Sequence, residues 1–116
     1  MAAKTTLTDA QRKPPKGVAT QATRGLDLRD KHDRGGTEVG VRRAHQLADQ
    51  KPVSDKDIKD IYSYFARHNV DKRGKNWGDP DKPSAGYIAW LLWGGDPGRK
   101  WIDGLHDKLD QQEDAA

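Results

Sequence analysis

The sequence predicts an all-α fold: a small bundle of about four helices, with a disordered N-terminal arm and a long loop between the second and third helices. Two observations carry this. Large apolar residues are scarce before residue 37, and beyond it they recur at three- and four-residue spacing. The periodic stretches also open on Thr, Ser or Asp, with Pro or Gly beyond them, which are the residues that start and stop helices.

Residues 1–36 hold almost no large apolar side chain beyond Leu7, Val18, Leu26 and Leu28, and they contain Pro14, Pro15, Gly17, Gly25, Gly35 and Gly36. Such a segment buries too little surface to offset its ordering entropy, so the expectation is a flexible arm. The arm is basic, with eight Lys/Arg against four Asp, whereas residues 37–116 carry thirteen against fourteen acids. A helical domain over 37–112 and a disordered tail over 113–116 complete the expected organisation.

The first helix is expected over about 38–50, in TEVGVRRAHQLADQ. Val41, Ala44, Leu47 and Ala48 share one face, Thr37 can cap the start and Pro52 lies beyond the end. Arg42, Arg43 and Gln46 are expected to point outward. The second helix, about 55–68, has the fullest local signals. Ser54 with Asp57 forms a capping-box variant, Val53 and Ile58 form a hydrophobic staple, and Ile58, Ile61, Tyr62 and Phe65 make an apolar stripe.

Residues 69–83 are dense in Gly, Pro, Asp and Lys and show no periodicity, so they read as a loop with Trp77 as its one aromatic anchor. A third helix follows Ser84 through SAGYIAWLLW, apolar on nearly every side and therefore central. Gly94 or Gly95 ends it. Asp96 is expected to cap a fourth helix with Pro97 in its first position, continued by Trp101, Ile102, Leu105 and Leu109. A domain this small needs large side chains to build a core, so Trp90, Trp93 and Trp101 read as mostly structural.

Several function classes lack their grammar. There is no Cys, hence neither a disulfide framework nor a thiolate metal site. The four His residues make no recognised metal-ligand spacing, and no nucleophile elbow, phosphate loop or dinucleotide fingerprint occurs. The chain is therefore expected to be no enzyme and to need no cofactor or metal. The longest apolar run, Ile88–Trp93, is too short to span a bilayer, and a soluble protein made in a cytoplasm is expected.

Binding chemistry remains. Arg67, His68, Lys72, Arg73 and Lys75 gather at the end of the second helix and the loop after it, where they can meet phosphates. Asp71, Asp79 and Asp81 lie among them, and a solvated mixed-charge surface accounts for the same residues. The fourth helix makes a poor DNA reader, because beyond Arg99 and Lys100 it offers mainly acids. For a protein partner the candidates are Arg12, Lys13, Lys16, Arg24 and Arg29 in the arm, with Trp77 and Trp93 as aromatic contacts.

RGGTEVGVRRAHQLADQKPVS, FARHNVDK (Phe65–Lys72) and IAWLLWGGDPGRKW (Ile88–Trp101) together resemble a small domain of uncertain function encoded by tailed bacteriophages. That domain occurs alone or within head-assembly proteins such as prohead proteases. The resemblance spans about residues 34–103, and Asn69 stands where the family usually has an acid. It implies a phage protein, located in the host cytoplasm or the virion, that binds a structural or assembly partner as a minor capsid, decoration or head-assembly component. It supplies no catalytic residues. A nucleic-acid-binding protein and an inhibitor of a host enzyme are the alternatives.

Overall fold

The computed structural model describes residues 7–115, and the side chains of residues 7–111. Its regular structure is helical throughout, with no strand among the described residues. A single turn, α1 (Asp9–Arg12), precedes five longer helices: α2 (Lys16–His32), α3 (Glu38–Ala48), α4 (Asp55–His68), α5 (Ala85–Leu92) and α6 (Gly95–Ala115). A 3-10 segment, Asn69–Arg73, continues from the end of α4.

The expected arm needs correcting. Its residues 1–6 lie outside the described residues, but 7–36 are folded onto the body, and α2 packs against α3, α5 and α6. The reason lies in side-chain size. α2 buries Val18, Ala22 and Gly25, a stripe so poor in apolar mass that it gives little sequence signal, yet small enough to bring two backbones together. A Cβ placed on Gly25 would lie 2.8 Å from the backbone N of Leu92 and 3.0 Å from the carbonyl carbon of Leu91. Apolar area in this contact comes from the partner helix rather than from α2. Leu7 is buried as well, and Arg12 ties α1 to the start of α4 through the Val53 carbonyl (3.1 Å) and the Asp55 carboxylate (2.8 Å).

α4 matches its expected span, and the capping box is reciprocal: Ser54 Oγ accepts from the Asp57 N–H and Asp57 Oδ2 from the Ser54 N–H, both at 3.0 Å. Ile58, Ile61 and Phe65 are buried as the stripe predicts, but Tyr64 replaces Tyr62 in the core. Tyr62 instead lies flat on His106 of α6, ring centroids 3.7 Å apart.

The turn between α5 and α6 also departs from expectation. Gly94 and Gly95 both take positive φ (115° and 65°), a backbone that L side chains rarely adopt. α6 starts at Gly95, with the Gly98 N–H donating to the Gly94 carbonyl. Asp96 is therefore not a helix cap: its carboxylate accepts from Trp90 Nε1 (2.9 Å) and from Lys72 Nζ (2.8 Å). At the far end the α6 backbone runs on to Ala115, past the boundary expected at 112, because its polar end is made of good helix formers. Ala116 lies outside the described residues.

The loop after α4 is ordered by what it covers. Trp77 sets its ring edge-on to Tyr87 (5.1 Å) and Trp90 (5.6 Å), and the Ser84 N–H donates to the Asn76 carbonyl to close the loop. Trp90 is fully buried, Trp93 nearly so and Trp101 half-buried, with Trp101 Nε1 donating to the Gln11 carbonyl. The tryptophans that crowd one short stretch of sequence thus serve the core.

Gly25→Ala is expected to destabilise the protein by about 1–3 kcal/mol, because the new methyl meets backbone that cannot step aside. That outcome opposes the roughly 1 kcal/mol gain in helix propensity, so the sign of the change in a urea unfolding curve reads out the α2–α5 contact.

Candidate functional site

The site is assembled by a polar junction between α3 and α4. Asp57, already fixed by the capping box, accepts from Arg43 Nη1 at 2.8 Å and from Gln46 Nε2 at 3.1 Å, while Arg43 Nη2 lies 3.6 Å from Asp60. Arg43 and Gln46, expected to face outward, are partly buried instead, because the capping-box carboxylate draws them across the helix pair. Burial works against the charge on Asp57. The Ser54 N–H, then Arg43 and Gln46, outweigh it and hold the carboxyl at about 2.

Held this way, the Arg43 guanidinium sits 5.4 Å from the ring centroid of Trp93. Trp93 stacks on Tyr64 (4.5 Å, 6° between planes), and Tyr64 stacks on His68 (4.5 Å, 25°). His68, the last residue of α4, pairs through Nδ1 with Asp71 Oδ2 at 3.1 Å. Asp71 in turn fits against α5 because residue 86 is Gly: a Cβ there would meet Asp71 Cβ at 3.1 Å.

These side chains line a cleft of about 660 Å³ between α3, α4 and α5, within the size range of ligand sites. Thr37 and Val39 from the start of α3 and Ala85, Gly86 and Ala89 from α5 complete its walls, with Asp60, Ser63 and Arg67 along α4. Two buried groups here have no hydrogen-bond partner, Arg43 Nε and the Tyr64 hydroxyl. Burial, then the nearby Asp71 carboxylate, push the Tyr64 hydroxyl well above the ordinary phenol range, with Arg67 opposing. The hydroxyl therefore stays protonated and able to donate.

The residues singled out from sequence divide sharply. Trp93, Arg67 and His68 come together in the cleft. Lys72 lies on the other side of the 3-10 segment, bonded to Asp96 and 4.8 Å above the Trp90 ring, so it is already committed. Arg73 and Lys75 are exposed and make no ion pair among the described residues. Trp77 is packed as an anchor. Of the expected arm residues, Arg12 and Arg29 are held internally, Arg29 by the Gly35 carbonyl at 3.0 Å. Lys16 and Arg24 border a shallow hollow on the outer face of α2 with Asp27, and Lys13 is exposed.

Arg43, Asp60 and Tyr64 are the cleft residues that sequence reasoning missed. The capping box was the available signal for Arg43, since a carboxylate at that position can serve a neighbouring helix as well as its own. No group of three or more metal-ligating side chains occurs among the described residues, and no helix there is long and apolar enough to cross a membrane. No protein-family model matches the chain, and neither a curated protein nor a solved structure matches it.

Tyr64→Phe keeps the ring stack and removes a hydroxyl that is buried without a partner, so it is expected to leave stability unchanged or raise it by about 1 kcal/mol in denaturant unfolding. Asp57→Asn is expected to lower stability at neutral pH by roughly 1–2 kcal/mol. Because the Asp57 carboxyl is depressed in the folded state, its contribution is full above the unfolded value of 3.8 and disappears as pH falls towards 2. Melting temperatures of wild type and D57N should accordingly converge across that window.

Proposed function

We propose that this chain is a non-enzymatic binding protein whose cleft between α3, α4 and α5 takes a segment of a protein partner. One observation carries the reading: two residues that line an open cleft, Arg43 and Tyr64, each hold a buried polar atom, Nε and the hydroxyl, that has no hydrogen-bond partner. Buried polar groups in folded proteins are nearly always paired, and a bound partner supplies what is missing. The half-exposed Val39 at the rim adds apolar surface for contact.

Catalysis is less well supported. His68 and Asp71 form an acid–base pair, but no hydroxyl or thiol is hydrogen-bonded to the imidazole among the described residues, so the pair has no nucleophile to activate. The resemblance to a tailed-phage domain suggests that the partner is a virion or head-assembly protein, met in the host cytoplasm or in the particle. A host enzyme would be a partner of the same kind. Nucleic acid is the second reading, favoured by Arg67, Arg73 and Lys75, which are exposed and have no ion pair among the described residues. The commitment of Lys72 to Asp96 weakens it.

A photo-reactive residue in place of Val39 is expected to cross-link one virion or assembly protein during phage production, whereas the same residue at the exposed Lys108 of α6 does not. Equal labelling from both positions would sink the cleft reading. Retention on DNA that falls steeply with salt, and is lost when Arg67, Arg73 and Lys75 become Ala, would favour the second one.

A further inference from the structure

Resting on the reading of the cleft as a protein-docking site, we infer that the group it recognises is a carboxylate of the partner, with an adjoining apolar side chain seated against Val39, Ala85 and Ala89. The inference follows from which hydrogen-bonding groups around the cleft are committed and which are not.

Each carboxylate around the cleft already holds a cation or N–H donor. Asp57 takes N–H groups from Ser54, Arg43 and Gln46. Asp60 takes Lys56 Nζ at 2.8 Å, with Arg43 Nη2 at 3.6 Å. Asp71 takes His68 Nδ1. A cationic ligand would compete with these groups for the same carboxylates.

The donors are what remains. Arg43 Nε–H has no partner, and neither does the hydroxyl of Tyr64, a residue only 4% exposed. Arg67 is exposed on the cleft wall and makes no ion pair among the described residues. α3 begins at the same cleft, and its first turn has one N–H, that of Gly40, satisfied by the Thr37 hydroxyl. The positive end of a helix favours an anion. The two buried uncommitted groups, Arg43 Nε–H and the Tyr64 hydroxyl, can both donate, and charged or hydroxyl donors suit an oxyanion.

Charge selects among oxyanions. Asp60 and Asp71 share the cleft with Arg43 and Arg67, so the lining has no large positive excess. A phosphate close to two negative charges would face both carboxylates, whereas a carboxylate brings one charge to the donors available. The apolar part of the lining, Val39, Ala85, Ala89 and Trp93, fits a carboxylate attached to a hydrophobic residue better than a solvated free ion. Such a group can be a chain terminus or an Asp or Glu side chain.

The test uses the full chain, labelled with nitrogen-15, and short peptides as probes. Acetyl-Ala-Leu-Val-Leu with a free C-terminus, acetyl-Ala-Leu-Glu-Leu amide and acetyl-Ala-Leu-Gln-Leu amide are titrated in turn, with inorganic phosphate as a fourth probe. At least one carboxylate peptide is expected to bind ten-fold or more tighter than the neutral amide and to shift the Arg43 Nε–H resonance. Preference for the first peptide identifies a chain terminus, and preference for the second a side chain. Tyr64→Phe should weaken that peptide several-fold without lowering the melting temperature, and Arg43→Lys should abolish the preference over the neutral amide. Equal binding of all three peptides overturns the carboxylate while leaving the docking cleft in place. Phosphate binding more tightly than the peptides, or no peptide binding at all, overturns it too. The cross-link from position 39 reports separately whether the cleft meets a protein.

Discussion

The indole N–H of Trp90 is the polar group around which this fold is arranged. A chain with only 33% hydrophobic residues has to build its interior from rings, and Trp90 is the largest side chain it buries completely. Its N–H needs an acceptor, and Asp96 supplies one from just beyond the glycine turn. That bond helps set where α6 leaves α5. The same carboxylate holds Lys72, whose ammonium lies over the indole, and Arg99 reaches from α6 to Asn69. The 3-10 segment is therefore tied down at both ends of the contact, and Trp77 covers it from the loop. Phe65 meets the ring edge-on at 4.7 Å, which joins α4 to the same centre.

The cleft is a by-product of how the two sides of this core are closed. Around Trp90, cations and a carboxylate fill the space above the ring. Around Trp93, one turn along, the corresponding cation is Arg43, and it is held back by Asp57 on α4. The ring of Tyr64 fills the gap between Trp93 and His68, but nothing bonds its hydroxyl. The same packing solution, a cation over an indole, is closed in one place and left open in the other.

How much of this could be read from the sequence depended on whether the information was local. Helix α4 was legible to the residue, because a capping box, a staple and a stripe of large side chains all lie within it. The glycine stop of α5 was legible for the same reason, although the start of α6 was not. Helix α2 was not: its buried residues are Val18, Ala22 and Gly25, and it packs on α3, α5 and α6, the last two more than fifty residues away. Composition measures what a segment brings to a core and says nothing about what it receives. The cleft was half legible. Trp93, Arg67 and His68 could be named as unusual, but Tyr62 was placed on the buried face where Tyr64 lies, and Arg43 was assigned to solvent. A helix with Tyr at positions 62 and 64 does not say which ring faces inward, and the pull on Arg43 comes from Asp57 on a neighbouring helix.

The packing of α2 also bears on how the protein is made. Its contacts with α3 can form early, but those with α5 and α6 involve residues at the opposite end of the chain. A nascent polypeptide emerging from the ribosome N-terminus first would carry α2 without two of its three partner helices until the final third had been synthesised. Gly25 and Ala22 offer almost nothing on which a premature, non-native cluster could grow. A helix whose buried face is this small can wait without sticking, and the bulky residues that complete the core arrive last.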